Sequence, residues 1–236
     1  MNEAFIRTEH VLGSPAMEKL AASRVAVFGL GGVGGYVVEA LARSGVGALD
    51  LVDNDRVALS NLNRQILATL DTVGLDKVDA AAQRVKSINP ACRVRTYKCF
   101  YLPETKGQFD FRQYDYVVDA IDTVAGKLAL IEECRAAGTP ILCAMGTGNK
   151  RDPSLLRLCD LYETRSDGLA RVMRKECRRR GIERLRVVYS PEEPLCLGPE
   201  LHDPDSQRRS IPGSTAFVPP AAGLLIASEV VRALIR

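Results

Sequence analysis

Val25-Ala26-Val27-Phe28-Gly29-Leu30-Gly31-Gly32-Val33-Gly34 reads as a buried strand that runs through a glycine-rich turn into a helix. Gly29 permits the tight turn, Gly31 lets backbone N–H groups approach a phosphate chain, and Gly34 lets the helix pack closely on the strand, with Gly32 in the same cradle. The helix N-terminus adds unpaired N–H donors and a partial positive charge for an anion. Asp53 closes the next apolar run, Leu49 to Val52, at the distance expected of a carboxylate that takes ribose hydroxyls. NAD-, FAD- and some ATP-binding proteins share this arrangement, and a glycine turn without a ligand is the bland alternative.

Working outward, Asn61-Leu62-Asn63-Arg64-Gln65 follows just past the second strand, and Lys77 lies in a later helical stretch. Asn61, Arg64 and Gln65 form a polar cluster with a fixed cation. A bidentate guanidinium fork and an ammonium point charge together suit a triphosphate. A dehydrogenase needs no such pair there.

Strands and helices alternate through the first two-thirds. Strands are expected at Val25–Phe28, Ala48–Val52, Arg93–Cys99, Tyr116–Ile121 and Pro140–Met145. Helices are expected at Val33–Ser44, Leu75–Ile88 and Val124–Ala137. This alternation predicts an α/β fold, a Rossmann-like, doubly wound and mostly parallel sheet with helices on both faces. After Gly146-Thr147-Gly148 the pattern changes: short strands at Leu155–Leu158 and Arg186–Tyr189 flank a helix over about Leu169–Arg180. Ser190 to Gly213, rich in Pro and charge, reads as an exposed mobile loop, and Pro219–Ile235 as a final helix. The expectation is one domain over residues 1–236: a nucleotide core at about 20–150, a basic helix and loop at about 151–214, and the C-terminal strands and helix closing the sheet.

With 236 residues, 46% of them hydrophobic, the chain can bury a substantial core, and a net charge of +3 excludes a general polycation. The charge is unevenly placed. From Arg165 to Arg186 nine Arg or Lys face three acids, a local +6, which leaves −3 for the remainder. The seven cysteines are scattered without C-x-x-C spacing, which predicts a reducing cytoplasm and no structural zinc. Met1 to Lys19 carries acids and no apolar run, so a secretory signal is not expected. The longest apolar stretch, Ala221 to Ile235, is interrupted by polar residues and too short for a membrane span.

Asp119-Ala120-Ile121-Asp122-Thr123 ends a buried strand at the edge where ligands bind in open α/β sheets. Asp122 there suits Mg²⁺ on nucleotide phosphates. A plain N-cap for the helix starting near Val124 is the other reading, and the two are compatible.

Gly29–Gly34, Asp53-Asn54-Asp55, Ser60–Gln65, Val73–Lys77, Ile88-Asn89-Pro90 and Asp119–Asp122 follow one another in an order and spacing that resembles the ubiquitin-activating-enzyme-like (ThiF/MoeB/HesA) adenylating superfamily. Within it the chain is most similar to the tRNA threonylcarbamoyladenosine dehydratases. Phe5–Glu9, Gly146–Lys150 with Asp152-Pro153, Leu169–Arg174, Val187–Ser190, Pro212–Ser214 and Phe217–Pro219 carry that likeness. The resemblance implies ATP and Mg²⁺ as cofactors. It places the triphosphate on Asn61, Arg64 and Lys77, the ribose near Asp53 and Asp55, Gln65 in the same nucleotide site, and Mg²⁺ on Asp122. Arg7 matches an N-terminal arginine that reaches into a neighbouring subunit's site, which implies a homodimer; a solvated terminal arginine is its bland alternative. A cysteine desulfurase or sulfur-acceptor protein is a further implied partner. The implied reaction is adenylation of the threonylcarbamoyl carboxylate of a modified adenosine in tRNA, followed by ring closure and loss of AMP. Ring closure is intramolecular, so no protein nucleophile is needed.

The zinc-binding cysteine pairs of the sulfur-carrier adenylyltransferases are missing, and there is no room for a ubiquitin-activating enzyme's catalytic-cysteine domain. Where relatives often carry a cysteine before the Leu169 segment, this chain has Ser166-Asp167-Gly168. For tRNA, Arg171, Arg174, Lys175 and Arg178 recur at helical spacing opposite an apolar face of Leu169, Val172, Met173 and Cys177, as a phosphate-tracking surface would. An ordinary solvated helix face is the alternative. The rival functions are a sulfur-carrier-protein adenylyltransferase, a NAD-binding oxidoreductase and a nucleotide-sensing module.

Overall fold

The computed structural model describes residues 3–195 and 212–236. Two short helices, α1 (Ile6–Leu12) and α2 (Ser14–Ala22), precede β1 (Arg24–Phe28), α3 (Gly34–Arg43) and β2 (Ala48–Val52). A crossover leads to α4 (Lys77–Ile88) and β3 (Arg93–Tyr97), then β4 (Tyr116–Asp119), α5 (Val124–Ala137) and β5 (Ile141–Ala144). The chain continues through β6 (Arg157–Asp160), α6 (Gly168–Arg179) and β7 (Arg186–Tyr189) to α7 (Val218–Leu234). The seven strands form one sheet in the order β3-β2-β1-β4-β5-β7-β6. All neighbours run parallel except β6, which is antiparallel to β7. The expected doubly wound, mostly parallel sheet is present.

Alternation along β1 shows why both faces are buried. Val25 and Val27 join Leu41, Val78, Ile226 and Val230 beneath α3, α4 and α7. Ala26 and Phe28 face the other way, where Phe28 packs edge-on against Tyr101 and Phe109 beside α5. A strand with helices on both sides must be apolar at every position.

Several boundaries differ from expectation for local reasons. The helix expected from Leu75 begins at Lys77, because Gly74 has φ +88° and Asp76 is extended at the N-cap. The strand expected to reach Ile121 ends at Asp119, whose Oδ1 accepts a hydrogen bond from Ile121 N at 3.2 Å and bends the chain away. The strand expected at Leu155–Leu158 lies two residues later, since Asp152 caps a 3₁₀ turn over Pro153–Leu155 through Ser154 N. Residues 196–211, most of the expected loop, lie outside the described residues.

Candidate active site

The carboxyl ends of β1, β2 and β4 converge on the glycine turn, and steric room there is set by missing side chains. Gly29 has φ +87°, and a Cβ on it would sit 2.6 Å from Ala120 O; on Gly34 a Cβ would sit 1.8 Å from Gly29 O. Only glycine satisfies both close approaches. Gly31 has more space, with Gln65 Nε2 3.9 Å from its Cβ position, while Gly32 backs onto Pro219 and the aliphatic stem of Arg64.

Asp53 ties this turn to the next strand. Its Oδ2 accepts from Leu30 N at 2.6 Å and its Oδ1 from Asp55 N at 2.8 Å. Burial pushes the Asp53 carboxyl above the usual carboxylate range, against the opposing pull of Lys77 and the two N–H donors. A carboxylate offers about four acceptor positions, so those two bonds leave room for a sugar hydroxyl.

Lys77 heads α4 and is nearly enclosed, with Nζ on Asp55 Oδ2 at 2.7 Å. Arg64 donates to Ser60 O at 2.9 Å and to Asn63 Oδ1 at 2.8 Å, and partial burial holds its guanidinium below the usual arginine value. Asn61 Oδ1 accepts from Ala58 N at 3.1 Å, which shapes the bend that presents Arg64. Gln65 is buried beside Gly31, and its Oε1 has no hydrogen-bond partner among the described residues. A buried acceptor left open beside a phosphate-type turn suits a ligand donor or an ordered water.

Asp122 lies in the Ala120–Thr123 loop between β4 and α5, on the same edge. The N-cap position of α5 is Thr123, whose own side chain makes no capping hydrogen bond. Among the described residues no group of three or more His, Cys, Asp or Glu side chains is placed to hold a metal. A single carboxylate on that edge is compatible with Mg²⁺, which commonly takes one or two carboxylates and fills its shell with phosphate oxygens and water.

Arg7 is not brought to this turn. It is exposed on α1, and Phe5, just before it, packs against Gly45, which precedes β2 at the amino end of the sheet. Phe5 there borders cavities of about 450 and 370 Å³, at the opposite end from Gly29–Gly34.

The basic helix α6 only partly matches its expected form. Arg171 and Lys175 are exposed. Arg174 is half-buried and donates to Thr164 O at 3.0 Å and to the Thr164 hydroxyl, and Arg178 lies over the Tyr162 ring at 5.1 Å. Val172 is 41% exposed and not part of the apolar face; Ala170, Met173 and Cys177 form it with half-buried Leu169 packed alongside, because Val172 stands a full helical step from that row. Outside the helix, Arg180 pairs with Glu132 and Arg186 with Glu229, which offsets part of the local +6.

Two buried ion pairs were not legible as pairs. Lys127 meets Asp119 at 2.9 Å, and Lys150 meets Asp167 at 3.5 Å while donating to Ser190 O at 2.6 Å. A lysine inside the otherwise apolar stretch Val124 to Ile131 is the available signal for the first. The cysteine thiols among the described residues are pushed up by burial, to about 11 at Cys92, Cys159 and Cys177, so none of these three is a ready thiolate at neutral pH.

The sequence profile of the ThiF family matches residues 6–236. The chain belongs to the ThiF family. Among curated relatives, this ThiF-family chain is 41% identical over 244 aligned positions to the tRNA threonylcarbamoyladenosine dehydratase of Bacillus subtilis, covering all of this chain and 96% of that protein. It is also 41% identical to the Escherichia coli protein of the same name, over 73% of this chain and 65% of the other. The crystal structure of that E. coli enzyme in complex with ATP superimposes with a TM-score of 0.89 at 33% identity, covering 99% of this ThiF-family chain and 94% of the other.

Proposed function

We propose that the chain is an ATP-dependent dehydratase that converts N6-threonylcarbamoyladenosine in tRNA to its cyclic form. The reading is carried by the likeness to enzymes of that activity over this chain's whole length, one of them solved with ATP. The site has the parts such a reaction needs.

In this reading Gly29, Gly31, Gly32 and Gly34 cradle the phosphates and Asp53 takes a ribose hydroxyl. Asn61 and Gln65 line the site. Lys77, with three N–H donors and one committed to Asp55, still has donors for a triphosphate, and Arg64 offers its remaining guanidinium nitrogens. Asp122 would hold Mg²⁺, which supplies charge neutralisation on the phosphates. The substrate carboxylate attacks the α-phosphate, pyrophosphate leaves, and an internal nucleophile of the same side chain expels AMP. Adenylation turns a poor leaving group into a good one, so the protein's contribution is positioning and electrostatic stabilisation.

The rest of the proposal concerns assembly. Arg7 lies at the amino end of its own sheet, which favours a homodimer in which it serves the neighbouring site. The chain would act as one adenylating unit in the cytoplasm. Arg171 and Lys175 would contact tRNA, and a cysteine desulfurase or sulfur-acceptor protein remains an associated partner. No helix among the described residues is long and apolar enough to cross a membrane.

The test is pyrophosphate release from ATP with tRNA that carries the modification, with unmodified tRNA, and with a small ubiquitin-like protein. Release with modified tRNA alone, accompanied by loss of one water mass from the nucleoside, is expected. Release driven by the ubiquitin-like protein would move the chain to the sulfur-carrier adenylyltransferases.

A further inference from the structure

Lys127 sits in the first turn of α5 with no solvent exposure, and neither has its partner Asp119, the last residue of β4. Lys127 Nζ donates to Asp119 Oδ2 at 2.9 Å and to Ala144 O, at the end of β5, at 2.7 Å. One ammonium thus holds together the carboxyl ends of two neighbouring strands and the start of the helix between them. The other oxygen of Asp119 accepts from Ile121 N, the second residue of the loop that carries Asp122. The thiol of Cys143 also contacts Asp119.

Burying two charges with no exposure costs more than burying an apolar pair of the same volume, so packing alone does not account for the arrangement. Its position does. On the upper side the loop touches the glycine turn, where a Cβ on Gly29 would meet Ala120 O at 2.6 Å and Ile121 N at 2.9 Å. On the lower side it rests on α5, where a Cβ on Gly126 would meet Ile121 Cδ1 at 2.7 Å and Thr123 Oγ1 at 2.9 Å. The loop is therefore gripped between two glycines with little slack, and the ion pair beneath fixes its height.

We propose that Lys127 and Asp119 are a positioning pair, which sets the Ala120–Thr123 loop and its Asp122 carboxylate against the glycine turn. The proposal rests on the reading of that turn and Asp122 as the nucleotide phosphate site. It assigns a role in ligand geometry to two residues that touch no ligand.

The experiment compares Lys127→Met with the double variant Asp119→Asn/Lys127→Met. The single change strands a buried carboxylate and lowers Tm. The double change keeps both side-chain shapes, removes both charges and recovers most of that Tm. Calorimetry then measures affinity for AMP without metal and for a non-hydrolysable ATP analogue with Mg²⁺. In the double variant the Mg²⁺-analogue affinity falls by about tenfold or more while AMP stays within about threefold of the parent, as expected when one loop is displaced and the turn is not. Double-variant affinities equal to the parent's, or equal losses for both ligands, overturn the positioning role. If the double variant does not recover its Tm, Asp119→Asn alone, in which Lys127 keeps Ala144 O, carries the same comparison with the same two outcomes. A parent that binds neither ligand overturns the nucleotide reading beneath the proposal; a parent that binds both while the variants follow it overturns the positioning role alone.

Discussion

Positive charge is used differently at the two sides of the sheet's carboxyl edge. Beside β1 and β2, Lys77 is 5% exposed and fastened to Asp55, and Arg64 is held by Ser60 O and Asn63. Over β5 and β7, where α6 packs beside α5, the α6 cations stand at the surface, and two of them are spent inside the chain, Arg174 on Thr164 and Arg178 on Tyr162. A buried, pre-oriented cation acts on one ligand atom and is little screened by salt. An exposed one contributes to a field that salt weakens. In the proposed function the first region would serve the chemical step and the second the loose attraction of tRNA.

The largest effect expected from this contrast is at the first region. Lys77→Ala, Arg64→Ala or Asp122→Asn each lowers the rate of pyrophosphate release by about a thousandfold, in kcat as well as kcat/KM, while Tm moves little. Steady-state kinetics on folded variants checks this, and normal turnover in any one of them removes that residue from the site.

At the second region the effect is smaller and depends on salt. Charge reversal at Arg171 and Lys175 together should weaken tRNA binding and flatten the slope of log affinity against log salt by about two. Filter binding over a salt series decides it. An unchanged slope would make α6 an ordinary solvated face and break the comparison. Arg174→Ala should behave unlike its neighbours, costing about 1–2 kcal/mol of stability through the lost Thr164 bonds while leaving the salt slope alone. Denaturant unfolding beside the binding assay separates the two.

The smallest effect concerns Asp53. Its folded carboxyl titrates above the ordinary value because of burial, so the folded state binds its proton more tightly than the unfolded state does. That contribution to stability is present at low pH and fades as pH rises through the raised value. Asp53→Asn removes the dependence, so its Tm relative to the parent should be more favourable at pH 7 than near pH 4. A constant difference across that range would show that Asp53 titrates normally.

The glycine turn was legible because its requirements are local: a positive φ at Gly29 and a close approach at Gly34 are written into one residue each. The same holds for the Val124–Ala137 helix, which stops where Gly138 adopts a left-handed conformation. Where a feature depends on a distant partner, the sequence was silent. Arg174 looks like its neighbours until Thr164 is placed ten residues away in chain and next to it in space. Lys127 with Asp119, and Lys150 with Asp167, join separate elements that only the folded sheet brings together. The two-residue shift of β6 has a local cause, the Asp152-Pro153 turn. Arg7 stood out by its motif, but only the fold shows that it stands at the end of the sheet away from its own glycine turn.

The absence of room at Gly34 has a consequence for how this protein can change. Every amino-acid replacement at that position adds at least a methyl group where a carbonyl oxygen already lies 1.8 Å away. In a saturation library the position should tolerate nothing, while Gly107 and Gly168, which face open space, accept many replacements. New ligand preferences therefore have to enter through the looser neighbours Gly31 and Gln65, and a drifting lineage keeps its turn long after its surface has become unrecognisable.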